Sequence, residues 1–166
     1  MARPAISDIF DLLSYDPLSG TVTWKVNRAG GVKAGDVAGW NNGNRGYRRI
    51  SIRENRAYAH HVAWLFITGE WPEDEIDHEN GNPADNRAEN LRPASRTENN
   101  RNTRARKHNR VGLKGVRETP QPGVWSARIR LYGREIYLGR YRSPHEAHQA
   151  YCAAALKLHG DFARFA

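Results

Sequence analysis

The chain has little that would cross-link it, anchor it or export it. A single cysteine, Cys152, in 166 residues excludes an internal disulfide and any zinc site built on cysteine pairs, and it fits a reducing compartment. No apolar run approaches the roughly 18 residues a membrane-spanning helix needs. The first 20 residues carry Asp8, Asp11 and Asp16, which does not suit the apolar core of a signal peptide. These absences predict a soluble cytoplasmic protein with no membrane partner. Acidic residues are scarce only in the second part. Residues 96–166 hold 15 Lys/Arg against 5 Asp/Glu, a net of +10, whereas residues 1–95 hold 11 against 13, a net of −2. The formal charge of +8 therefore sits in the last 71 residues, an asymmetry that points to a polyanion partner. Basic faces also occur on proteins that bind no nucleic acid, so the motifs must decide.

A length of 166 residues allows one ordinary domain or two small ones, each with a limited core. Ile6, Ile9, Phe10 and Leu13 follow the spacing of a short amphipathic helix, broken by the turn residues 16–20. Strands are expected at Thr21–Val26 and Tyr47–Arg53, separated by a segment rich in glycine and asparagine. Residues 1–56 thus read as a β-rich lead-in without a legible function. Residues 59–68 are apolar enough for a largely buried helix, stopped by Gly69 and Pro72. A strand at Glu75–His78, a polar loop over Glu79–Glu89 and a return strand at Asn90–Arg92 follow. Ser95 with Glu98 makes a capping box, which starts a helix at Arg96.

Residues 103–112 carry four positive charges and no acid, as suits a solvated linker along a phosphate backbone. In the next segment Trp125, Ala127, Ile129 and Leu131 alternate with Ser126, Arg128 and Arg130, the pattern of a half-buried strand. After the turn at Tyr132-Gly133, Ile136 and Leu138 alternate with Glu135 and Tyr137. Ser143-Pro144-His145-Glu146 opens a helix whose apolar stripe is Ala147, Ala150, Tyr151, Ala154, Ala155 and Leu158. The expected unit is a small antiparallel sheet packed on one helix.

The chemistry concentrates at Asp77-His78. Phosphodiester hydrolysis needs an activated water, charge relief on the phosphoryl oxygens and stabilisation of the departing alkoxide. A neutral imidazole can serve as the base and one hard divalent cation can do the rest. His78 is the expected base. Asp77 and Asn99, one turn into the following helix, would have to converge on the cation, and oxygen ligands favour Mg²⁺ or Mn²⁺ over zinc. Asn90 is expected to hydrogen-bond loop backbone and hold the hairpin shut. An Asp-His pair alone reads more readily as a polar turn with an incidental histidine. Asn90 and Asn99, each in its expected element, tip the balance.

Those residues, together with His60-His61, the helix Trp64–Gly69, Trp71-Pro72, Asn80-Gly81-Asn82, Asn86, Asn90-Leu91-Arg92 and Asn102, resemble the HNH endonuclease family in its phage and homing form. The resemblance implies a ββα-metal unit over residues 57–102, His78 as general base, and Asp77 with Asn99 on a single metal. This chain has Asn rather than His at the third motif position. His60 and His61 leave two readings open, phosphate contact or a structural role. Further on, Lys114-Gly115-Val116-Arg117, the 125–130 strand, Tyr137-Leu138-Gly139 and the last helix resemble the AP2/ERF DNA-binding domain over residues 112–163, within a domain expected at 112–166 and joined by a basic linker at 103–111. That resemblance implies a helix behind a three-stranded sheet. Lys114, Arg117, Arg128, Arg130 and Tyr137 would face double-stranded DNA, while Trp125, Ile129, Ile136 and Leu138 would be core. Arg117 and Arg130 are the expected base readers, since arginine pairs bidentately with guanine. Arg104 and Lys107 of the linker would contact phosphates, and Arg134, Arg140 and Arg142 are phosphate contacts or solvated.

The expected fold class is therefore α+β, and the expected activity is metal-dependent DNA cleavage by a phage homing-type enzyme, in the host cytoplasm. The alternative is a sequence-specific DNA-binding protein with a degenerate nuclease region. An RNA-binding accessory role is weaker, because the aromatic residues do not form a stacking platform.

Overall fold

The computed structural model describes residues 3–41, 43, 46–102 and 109–165. Among them are four α-helices and four small antiparallel sheets of two or three strands. The chain separates into two compact units, Met1–Ala94 and Ser95–Ala166.

In the N-terminal unit, α1 (Ile6–Leu12) runs directly into β1 (Leu13–Asp16), which turns back into β2 (Thr21–Trp24). A three-stranded sheet comes next, with β4 (Arg48–Ile52) between β3 (Trp40–Asn41) and β5 (Asn55–Tyr58). The short strands β1, β3 and β5 were not expected from the sequence. Helix α2 (Ala59–Thr68) ends where expected, at a left-handed Gly69 with φ 83° whose N–H reaches Leu65 O.

The apolar character of α2 all round has a simple cause: it is buried on two sides. Ala59, Val62 and Leu65 join Ile9, Leu13, Val22, Trp24, Ile50 and Ile52 in the larger core. On its other side Ala63 packs with Ile76 and Leu91 of the next hairpin. Residues from Ile9 to Ile52 thus supply most of the core against which α2 is held. Val62 and Leu65 are fully buried, each worth about 2 kcal/mol of apolar transfer.

That hairpin pairs β6 (Glu75–His78) with β7 (Leu91–Ala94) in the register Asp77↔Arg92 and His78↔Leu91. The lead-in buttresses its loop. Tyr15 donates its hydroxyl to Asn86 O at 2.8 Å, and Ala88 N–H donates to Pro17 O at 3.0 Å. Gly20, at φ 74°, lies so close that a Cβ there would stand 2.5 Å from the Asn86 carbonyl carbon and 2.4 Å from Arg87 N. Only glycine fits that approach.

The C-terminal unit opens with α3 (Arg96–Arg101), started by the full Ser95/Glu98 capping box. Its end is tied to later residues: Lys114 Nζ donates to Arg101 O at 2.8 Å, and Arg164 donates to Asn102 O. β9 (Trp125–Leu131) is the middle strand between β8 (Val116–Glu118) and β10 (Arg134–Tyr141). Helix α4 (Pro144–His159), capped by Ser143, covers one face of this sheet. Val116 and Ala127 pack on Ala147, and Ile129 packs on Tyr151 and Ala155. Ile136, expected in the core, is 37 % exposed. It shares the face of its partner Ile129, but β10 is an edge strand. Ser126, expected outside, is buried, with its hydroxyl directed to Arg117 O. No helix among the described residues is long and apolar enough to cross a membrane.

Candidate active site

His78 is the last residue of β6 and is 4 % exposed. Its Nε2 lies 3.0 Å from Asn86 Oδ1. A carboxamide oxygen only accepts, so this contact suits the tautomer with its proton on Nε2. Burial lowers the His78 pKa below the usual imidazole value, against the opposing pull of the Asn86 bond and of Asp77 and Asp85. The side chain is therefore a neutral imidazole at pH 7, with one tautomer selected by its neighbour.

Around it is a cluster of rings. His60 meets His78 edge-on at 5.2 Å between ring centres, and Tyr47 lies 6.0 Å away. His60 stacks on Tyr58 at 5.3 Å and meets His61 at 4.4 Å. Burial drives His60 well below the usual histidine range and His61 down to about 4, with Arg3 and His78 adding repulsion at His61. Three neutral imidazoles thus pack together, which protonation of any one would disturb.

Asp77 is equally buried but faces the paired strand. Its Oδ2 accepts from Arg92 Nε at 3.0 Å and Nη2 at 2.8 Å. This partner was missed in the sequence, although any register that pairs His78 with Leu91 sets Arg92 opposite Asp77. Asn90 closes the loop between the strands: its Nδ2 donates to Asp85 O at 2.7 Å, and its Oδ1 accepts from Asn80 N–H at 2.9 Å. The Asp85 pKa is lowered to about 2, chiefly by the Arg87 hydrogen bond, and its carboxylate also accepts from Asn80 Nδ2. Asn86 and Tyr47 also escaped a role in the sequence reading, since nothing local marks which loop amide or lead-in aromatic will reach His78.

Among the described residues, no group of three or more His, Cys, Asp or Glu is arranged to hold a metal ion. The donor chemistry nevertheless fits a hard cation. Mg²⁺ is commonly bound through only one or two carboxylates, with water and substrate phosphate completing the shell, and Asp77, the residue before His78, is a buried carboxylate. Asn99 is carried by α3 in the C-terminal unit.

In the C-terminal unit the strand register puts Arg117, Arg128, Arg130, Glu135 and Tyr137 on one face, opposite the side covered by α4. Arg117 and Arg128 both bind Glu135, at 2.9 and 2.6 Å, and those bonds, led by that of Arg128, lower the Glu135 pKa. Arg128 also lies 5.8 Å from the centre of the Tyr137 ring. Lys114, expected on this face, instead turns its ammonium to Arg101 O, and burial with the nearby Arg164 lowers it to about 8. Arg104 and Lys107 lie outside the described residues.

Residues 57–101 match a family model described as HNH endonuclease. Protein 3.8 of Escherichia phage T7 is 34 % identical to this chain over 90 residues, which cover 54 % of this chain and 74 % of that protein.

Proposed function

The chain belongs to the HNH endonuclease family, and from that premise we propose that it is a metal-dependent DNA endonuclease whose general base is His78. The observation that carries this reading is the His78–Asn86 bond. It orients the ring, while burial keeps the imidazole neutral at physiological pH, the form that can take a proton from water. Asp77 would hold a hard divalent cation, Mg²⁺ or Mn²⁺, which when bound supplies charge relief at the phosphoryl group. The family resemblance gives Asn99 the second ligand role. Arg92 orients the Asp77 carboxylate, and Asn90 keeps the loop in the shape that presents Asn86.

The AP2-type resemblance supplies the second half of the proposal, a phage homing-type enzyme targeted by its C-terminal unit. Support comes from the sheet face that carries Arg117, Arg128, Arg130 and Tyr137 away from α4, and from the +10 charge of residues 96–166. One base and one cation cut one strand, so a double-strand break would need two copies or two successive nicks. The test is conversion of supercoiled plasmid to nicked circles with Mg²⁺ or Mn²⁺, for the wild type and for His78→Ala and Asn99→Ala. Metal-dependent nicking by the wild type, lost in His78→Ala, is expected. DNA binding with no nicking under either metal would instead support the non-catalytic DNA-binding alternative.

A further inference from the structure

The net charge of −2 over residues 1–95 conceals an uneven distribution of arginines in the N-terminal unit. Arg53 pairs with Asp8, Arg87 with Asp85 and Glu89, and Arg92 with Asp77. Arg28 and Arg48 donate to backbone carbonyls. Arg3, Arg49 and Arg56 behave differently: they converge on one cavity of about 210 Å³, lined also by Tyr58, His61 and Trp71. Among the described residues, no carboxylate lines this cavity. None of the three guanidiniums has an ion-pair partner among the described residues.

Their contacts are those of cations held in place rather than neutralised. Arg49 donates to Tyr58 Oη at 2.9 Å and lies 4.8 Å from the centre of that ring. Arg3 donates to Pro72 O and sits 5.7 Å from the Trp71 ring. Arg56 is exposed and lies over Trp40 at 5.9 Å. Gathering three like charges in a unit with acids to spare is unfavourable unless an anion joins them. The volume, about seven waters at ~30 Å³ each, admits a phosphodiester group. The wall is also connected to the base: His61 touches His60, which touches His78.

We infer that this cavity is a subsite for a backbone phosphate of the DNA strand, held by Arg3, Arg49 and Arg56 beside the His78 cluster. The N-terminal unit then has DNA affinity of its own and does not depend on the basic C-terminal residues alone. Guanidinium forks suit phosphate because they offer two parallel donors to two oxygens, and His61, neutral at pH 7, adds a ring edge without adding charge. The inference rests on the nuclease reading above for its choice of DNA as the source of the phosphate.

The test measures binding of the full chain to a random-sequence duplex in chelator, without divalent metal, over a series of salt concentrations. Arg49→Gln/Arg56→Gln should weaken binding roughly 10- to 100-fold, the loss expected for charge-assisted hydrogen bonds. The slope of log affinity against log salt should flatten by about 0.9 for each phosphate released. Arg49→Lys/Arg56→Lys, which keeps the charge, should recover most of the slope. Melting curves check folding, and if Arg49→Gln unfolds the unit, the exposed Arg56→Gln alone carries the test with a smaller shift. Unchanged affinity and slope in folded variants would overturn the subsite. So would a melting temperature raised by inorganic phosphate through these arginines while DNA binding stays unaltered, because the cavity would then hold a free anion. Because no cleavage is measured, a wild type that never nicks DNA would defeat the nuclease reading while leaving the slope result intact.

Discussion

The two units hold their polar groups in opposite ways. In the N-terminal unit His60, Asp77, His78, Asn86 and Asn90 are all below 9 % exposed, and hydrogen bonds lock particular atoms: Nε2 of His78, Oδ2 of Asp77, both ends of the Asn90 carboxamide. In the C-terminal unit Arg117, Arg130 and Tyr137 stand exposed on a sheet face, and Arg117 and Arg128 are held by one accessible carboxylate, Glu135. Buried polar groups must be satisfied in one geometry, so the first arrangement sets protonation states and directions, as chemistry at a single bond requires. Exposed charges are screened by solvent and salt, so in the proposed reading the second would supply attraction that tolerates adjustment to a partner. Net charge alone draws attention only to the second unit.

The largest expected effect separates these two kinds of site. His78→Ala should lower cleavage roughly 10²–10⁴-fold while duplex affinity changes little, read by plasmid nicking and by fluorescence anisotropy. A matching loss of affinity would erase the contrast between the units. Asp77→Ala should destabilise the N-terminal unit by about 3–5 kcal/mol, because it strands the Arg92 guanidinium opposite it. Asp77→Asn keeps the shape, so it separates the loss of a metal ligand from unfolding. Comparing the two variants by melting temperature and by Mg²⁺ dependence of nicking decides which role dominates.

Gly20→Ala acts at a distance. It combines about 1–2 kcal/mol of left-handed backbone strain with a clash against the Asn86–Arg87 backbone. Nicking should fall with it although residue 20 lies far from His78 in sequence. Nicking at the wild-type rate would show that the lead-in does not position the loop. Acidification should also weaken the N-terminal unit, where three buried histidines shift downward. The unfolded imidazole of His61 takes a proton near pH 6.5, whereas the folded one does so only near 4. The unfolded state therefore binds more protons between those values, and stability is complete above about pH 6.5 and is lost as pH falls towards 4. His60 and His78 shift in the same direction. Thermal melts from about pH 7.5 down to about 4.5 should show the N-terminal unit weakening, with a shallower slope in His61→Gln. The smallest effect belongs to the exposed face: Glu135→Gln should raise non-specific DNA affinity by only about 2- to 5-fold, as befits screened surface pairs. A drop in affinity would mean that Glu135 orders Arg117 and Arg128 for DNA rather than competing with it.

What the sequence determined by itself is whatever operates within a few residues. The Ser95/Glu98 box, the Gly69 stop, the Ser143-Pro144 helix start and the alternation through 125–131 are local hydrogen bonds, dihedral preferences and periodicities. The Asp77-His78 hairpin and the loop-spanning Asn90 belong to the same class, since strand, turn and return strand are close neighbours along the chain. The tertiary structure alone decided which distant groups meet. Tyr47 and His60 reach His78 from separate elements, Tyr15 and Gly20 support the loop from far earlier in the chain, and Arg3, Arg49 and Arg56 converge on one cavity. It also turned Lys114 away from the basic face and left Ile136 exposed. No local pattern encodes such meetings, because they arise from how α2 is buried between two small cores and how α4 leaves the outer strand of its sheet partly uncovered.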